Sequence, residues 1–110
     1  MGDRANIVVK NSGEQVCLYS HWGGSELPDT LRAAMVRGKK RWDDAPYLAR
    51  IIFCEMVKGD EMETTGFGIS QSIGDGDDKV ITIDVDDQTV KINDRPAVAF
   101  GDFIASKNGW

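Results

Sequence analysis

Two stretches with helical periodicity, 27–36 and 47–58, follow one another with no strand pattern between them, and every β-patterned stretch lies before or after the pair. A doubly wound parallel sheet needs strands and helices to alternate, so this order removes the mononucleotide-binding folds of that type. Neither GxGxxG nor GxxxxGK[ST] occurs in the chain. The expected architecture is α+β: an antiparallel sheet in the order β-β-α-α-β-β-β, with two helices packed on one face.

In the first helical stretch Leu27, Leu31, Ala34 and Met35 form a 3.6-residue stripe. Ser25 is the expected N-cap, Pro28 fits the first turn and Gly38 closes the helix. Asp44 is the expected cap of the second, with Pro46 in its first turn. Tyr47, Leu48, Ile51, Ile52, Phe53, Cys54, Met56 and Val57 leave almost no polar face, which predicts the most buried element of the protein. Its charged interior positions, Arg50 and Glu55, are five apart and lie on different faces, so each needs a partner elsewhere.

Before the helices, 5–10 and 15–20 read as strands joined by the turn formers Asn11, Ser12, Gly13 and Glu14, which makes a hairpin. Alternation places Val16, Leu18 and Ser20 on one face and Cys17, Tyr19 and His21 on the other. After the helices, 66–73 alternates Phe67, Ile69 and Ile73 against Gly68, Ser70 and Ser72, and turns at Gly74-Asp75-Gly76-Asp77. Residues 79–85 and 88–92 continue as a meander around Asp86-Asp87. Residues 97–105 read as an edge strand and a short helical turn carrying Phe100, Phe103 and Ile104. Residues 106–110 are expected to form a loose tail.

A chain of 110 residues, 41% hydrophobic and 28% charged, is expected to form a single globular domain over 1–110 with one core. The net charge of -5 disfavours coating of nucleic acid. No apolar run approaches the roughly 18 to 20 residues of a membrane span, and Met1-Gly2-Asp3-Arg4 lacks an apolar signal core, so a soluble, cytoplasmic protein is expected. Cys17 and Cys54 show no CxxC spacing and read as buried thiols, with neither metal nor other cofactor implied.

Chemistry-bearing side chains concentrate at 19–28, where a strand runs into a helix start. The stretch holds the only histidine, His21, beside Tyr19 and Trp22, then Gly23, Gly24 and Ser25. Gly23-Gly24 suits either close approach to a ligand or a tight strand-to-helix turn. A helix N-terminus offers N–H groups to an anion. Arg32, Arg37, Lys39, Lys40 and Arg41 follow within ten positions, either as complements to the helix dipole or as an anion-binding rim.

Nucleophilic catalysis is poorly supported. Four residues of strand separate Cys17 from His21 by about 13 Å, and a cysteine on an apolar helix is a weak nucleophile. Asp75, Asp77 and Asp78, and again Asp84, Asp86 and Asp87, crowd two turns; they read as turn formers or as a weak cation site without an EF-hand pattern.

The segments GDRANIVVK at 2–10, HWGGSELP at 21–28, RWDDAPYLAR at 41–50 and TGFGIS at 65–70 resemble those of a small family of uncharacterised bacterial and phage proteins. The resemblance spans nearly the whole chain and brings no fold, substrate or catalytic residue. It implies a complete stand-alone protein in a bacterial cytoplasm and, in a phage setting, a counter-defence role.

Three function classes follow. The leading one is a non-enzymatic binder of an anionic, ring-bearing ligand such as a nucleotide, using Tyr19, His21 and Trp22 on the ring, Gly23, Gly24 and Ser25 as N–H donors, and Arg32, Lys39, Lys40 and Arg41 on phosphate. The second is a protein inhibitor or interaction module acting through the acidic 75–87 surface, alone or as a homo-oligomer. A small hydrolase is third.

Overall fold

The computed structural model describes residues 2–73, 79–107, 109 and 110. The chain forms β1 (Ala5–Asn11), β2 (Glu14–Ser20), α1 (Leu27–Arg37), α2 (Ala45–Val57), β3 (Phe67–Ser70), β4 (Val80–Asp84), β5 (Thr89–Ile92), β6 (Val98–Ala99) and α3 (Phe100–Ala105). Single 3-10 turns at Gly24–Glu26 and Lys39–Arg41 precede and follow α1. The fold is α+β, with one six-stranded sheet in the order β3-β2-β1-β4-β5-β6.

The sheet is mixed rather than antiparallel, because β1 and β4 pair in parallel with Ile7 opposite Ile81 and Val9 opposite Ile83. β3 and β4 are therefore no hairpin, and β2 and β1 lie between them. Side-chain content explains the order. In β1, Ala5, Asn6, Ile7, Val8 and Val9 are all buried, the near-continuous burial of a central strand with a neighbour on each edge. β3 offers Gly68 and Ser70 on one face and an exposed Ile69 on the other, and it sits at the edge. The expected turn at 74–77 lies outside the described residues.

The hairpin between β1 and β2 closes on Ser12 and Gly13, both with positive φ, 54° and 81°. Two such residues make a type I′ turn, whose twist matches that of the strands. Serine is an uncommon residue there, and Asp86 holds the turn by accepting from Ser12 N at 2.8 Å and from Asn11 Nδ2 at 2.9 Å.

One face of the sheet carries the core: Ile7, Val9, Leu18, Ile81, Ile83, Val90 and Ile92 meet Leu27, Leu31, Ala34 and Met35 of α1, Leu48, Ile51 and Ile52 of α2, and Phe100 and Phe103 of α3. Three helices thus cover this face, the third being the short helical turn expected near the end of the chain. The most buried helix is α1 rather than α2. In α2 only Leu48, Ile51 and Ile52 are buried; Tyr47 is half exposed and Cys54 exposed. A helix laid over a sheet can bury one stripe, so the apolar residues on its remaining arc stay at the surface.

The helix ends follow their local chemistry. Asp44 caps α2 by accepting from Tyr47 N at 3.3 Å. Ser25 does not cap α1: it sits inside the 3-10 turn, and Glu26 holds the cap position without a side-chain bond. Glu55 finds its partner in Arg37 of α1 at 3.0 Å. The tail at 106–110 is tied at its last residue, where half-buried Trp110 packs on the core and donates from Nε1 to the carbonyl of Gly24 at 2.6 Å. Arg95 donates to the carbonyls of Gly109 and Trp110.

Candidate functional site

The passage from β2 into α1 is stitched to the chain on both sides. His21 N donates to Gly66 O at 2.8 Å and Asp3 N donates to His21 O at 2.8 Å. Gly24 N donates to Asp3 O at 2.9 Å, Ser25 N to Asp3 Oδ2 at 2.8 Å and Glu26 N to Gly23 O at 3.0 Å. The N–H groups that the sequence offers to an anion thus donate within the molecule. Asp3 is the anion at this helix start. Hydrogen bonds from the hydroxyl and the N–H of Ser25, then Lys79 Nζ at 3.0 Å, lower its carboxyl pKa from 3.8 to about 2.

Both glycines serve the turn. Gly23 has φ 79°, a left-handed conformation that side chains disfavour. Gly24 presses on the N-terminal arm, and a Cβ there would lie 2.5 Å from Asp3 O and 3.0 Å from Arg4 O. Close approach is real, and the partner is the protein's own backbone.

Period two holds through the three residues before the turn. Tyr19 Oη and His21 Nδ1 share a hydrogen bond of 2.8 Å on the face away from the helices, while Ser20 is buried toward them. Against the Nε2 edge of His21 lies Gly2, where an added Cβ would be 2.6 Å away. His21 meets Trp22 edge to face, with ring centroids 5.1 Å apart. Trp22 stands over Gly66, whose missing Cβ would fall 2.4 Å from the indole. Even so, Trp22 is 52% exposed.

That exposed indole lines a cleft of about 210 Å³ with Ser20, Gly23, Glu26, Leu27, Thr30, Met56, Asp60 and Phe67. Leu27, Met56 and Phe67 supply apolar wall, Glu26 and Asp60 supply carboxylates, and the lining contains neither lysine nor arginine. Tyr19 and His21 do not line it. Of its lining the sequence reading singled out Trp22 and Gly23 and missed Glu26, Asp60, Met56 and Phe67. The one local signal was the Lys58-Gly59 pair that ends α2, since Gly59 at φ 90° turns the chain and sends Asp60 back to α1.

The basic residues lie elsewhere. α1 is 11 residues long, so the Lys39–Arg41 turn begins about 16 Å or more from the His21 loop. Arg41 stacks on Tyr47 at 4.9 Å and Lys39 lies 5.9 Å from the Trp42 ring. Arg32 is turned to α3: its Nε donates to Phe103 O at 3.3 Å, its guanidinium lies 4.9 Å from the Phe103 ring, and it pairs with Asp29 at 2.7 Å. The structure therefore brings Tyr19, His21, Trp22, Gly23, Gly24 and Ser25 together and leaves Arg32, Lys39, Lys40 and Arg41 outside that group.

The other candidates have structural work. Cys17 is fully buried, and desolvation raises its thiol pKa, whereas Cys54 is exposed, against the sequence expectation. Asp84 Oδ1 accepts from Asp87 N and Asp86 holds the β1–β2 turn, so both carboxylates are engaged at turns. Asp75, Asp77 and Asp78 lie outside the described residues. Among the described residues no three His, Cys, Asp or Glu side chains gather as a metal site, and no helix is long and apolar enough to cross a membrane. Comparison of the chain with family models, with curated proteins and with solved structures returns no match.

Proposed function

We propose that this protein is a non-enzymatic interaction module that takes a cationic side chain of a protein partner into the cleft beneath Trp22. The observation that carries the reading is the composition of that cleft: a half-exposed indole, apolar walls and two carboxylates, with no cation in the lining. An indole face attracts ammonium and guanidinium groups, and carboxylates beside it select cations and reject phosphate. The same lining holds the aliphatic stem of lysine or arginine against Leu27, Met56 and Phe67. A protein inhibitor, one of the two counter-defence roles a phage setting would favour beside a nucleotide trap, would use such a surface on a basic patch of its target.

The anionic, ring-bearing ligand keeps one supporting observation. Tyr47 is 50% exposed with Arg41 stacked on it, and exposed Lys39 and Lys40 lie alongside in sequence. A nucleotide would bind there, away from the His21 loop.

Calorimetry separates the two. A short peptide alternating valine and lysine should bind more weakly as salt rises, and Trp22→Ala and Glu26→Gln should each weaken it about tenfold while Arg41→Ala does not. Heat with nucleotides that Arg41→Ala abolishes, and none with the basic peptide, would overturn the cleft reading.

A further inference from the structure

We infer that the partner is an extended segment, rich in basic and apolar residues, that adds to the open edge of β3 as a seventh strand; this rests on the cleft reading above. β3 ends the sheet, and among the described residues only β2 pairs with it. Its register sets Ser70 opposite Cys17, Gly68 opposite Tyr19 and Phe67 opposite Ser20. Gly66 O accepts from His21 N, so by the alternation of an antiparallel ladder Gly68 and Ser70 bond to β2. The N–H and C=O groups of Phe67 and Ile69 then point off the edge.

Sheet edges in soluble proteins are guarded by charge, proline, bulges or shortness. The opposite edge is guarded: β6 has two residues and runs at once into α3. β3 has none of these guards except modest length. From Gly66 to Ile73 the sequence carries no charge and no proline, and Ile69 is 62% exposed. In the segment before β3 Met62 is 90% exposed, and Trp22, over Gly66, is 52% exposed.

Two observations choose the occupant. The segment that leads into β3 carries Asp60, Glu61 and Glu63, and between 59 and 78 there is no lysine or arginine. Opposite charge on a strand that runs past this segment is favoured, and a second copy, which brings the same acidic segment, is repelled. Phe67 belongs both to β3 and to the lining of the cleft, so a strand laid along β3 passes the cleft mouth with one side chain in reach of Glu26 and Asp60. Backbone bonding along the edge gives affinity and the cleft gives selectivity, as in other strand-addition modes.

The test uses the intact protein and the alternating valine–lysine peptide, with a valine–glutamate peptide as control. Hydrogen exchange should slow at the amides of Phe67 and Ile69 when the basic peptide is added, with no change for the acidic one. Ile69→Pro removes an outward N–H without touching the β2 ladder and should weaken binding at least about tenfold. If that variant does not fold, the exchange result on the unaltered protein decides alone. Binding sensitive to Trp22→Ala and Glu26→Gln, with exchange at Phe67 and Ile69 unaffected, would overturn strand addition and leave the cleft reading standing. Failure of the basic peptide to bind overturns both. Concentration-dependent dimers in sedimentation that Ile69→Pro dissolves would assign the edge to a second copy instead.

Discussion

The two ends of α1 carry the residues most suggestive of chemistry, and they are built in different ways. At the N-terminal end the backbone donors are consumed by Asp3 and by Gly23, the glycines touch the N-terminal arm, and Trp22 overhangs an acidic cleft. At the C-terminal end Trp42 Nε1 donates to Met35 O at 3.0 Å, and Lys39 and Arg41 rest on aromatic rings at the surface. The first end is interlocked with distant segments. The second is satisfied mostly by the helix that follows, Arg37 donating to Ile51 O at 3.0 Å and pairing with Glu55 of α2, and its exposed cations complement the helix dipole. Proximity in sequence made the two look like one site, but a helix between them turns adjacency into distance.

The largest loss should follow from damage to the helix that joins them. Leu31 is fully buried, and Leu31→Ala should cost about 2 to 5 kcal/mol through lost burial and a residual cavity. Denaturant titration checks this, and a loss under about 1 kcal/mol would place α1 wrongly on the core. Next come the glycines at the two ends. Gly24→Ala drives a Cβ into backbone oxygens that cannot turn aside and should cost about 1 to 3 kcal/mol. Gly38→Ala meets Ala34 O at 3.2 Å and side-chain carbons at 3.3 Å with φ at -93°, and should stay within about 1 kcal/mol. Equal costs would break the contrast between an interlocked and a local end.

Acid gives a sharper version. The Asp3 carboxyl is held near 2 in the folded protein against 3.8 for the ordinary group, so its contribution to stability is complete above about pH 4 and is lost as pH falls toward 2. At neutral pH Asp3→Asn should lower the melting temperature, and the gap to wild type should close between pH 4 and pH 2. A gap that persists unchanged at pH 2 would mean that the ionised carboxylate is not what holds Ser25 and Lys79.

Sequence periodicity exposed the local parts of this fold. The stripe Leu27, Leu31, Ala34, Met35 is buried as the 3.6-residue repeat requires, Asp44 caps α2, and the alternation around Tyr19 and His21 puts their rings on one face. Strand partners were not legible, since a pattern of alternating residues says which face is buried and not which strand lies alongside; β1 finds β4 some 70 residues later. The continuous apolar run of β1 was the available hint of a central strand in a parallel pair. The occupied helix start was equally hidden. Asp3 is an unremarkable acidic residue until the fold sets it 2.8 Å from Ser25 N, and Trp110 belongs to a tail with no pattern until it reaches Gly24.

The smallest effect belongs to the basic turn. Lys39 and Lys40 are exposed, and Lys39 meets the Trp42 ring only at 5.9 Å. A surface cation in the last turn of a helix contributes at most a few tenths of a kcal/mol to about 1 kcal/mol, and salt screens it. Lys40→Ala should therefore shift stability by less than about 0.5 kcal/mol, and the shift should vanish in strong salt. Lys39→Ala should do slightly more, because it also gives up the ring contact. Losses beyond about 1 kcal/mol that survive salt would show this end to be as interlocked as the other. A neutral result has a second use, since it makes both variants clean probes for binding. If they lower the affinity of the valine–lysine peptide, the partner reaches across the whole length of α1; if they leave it unchanged while Trp22→Ala weakens it, recognition is confined to the acidic end.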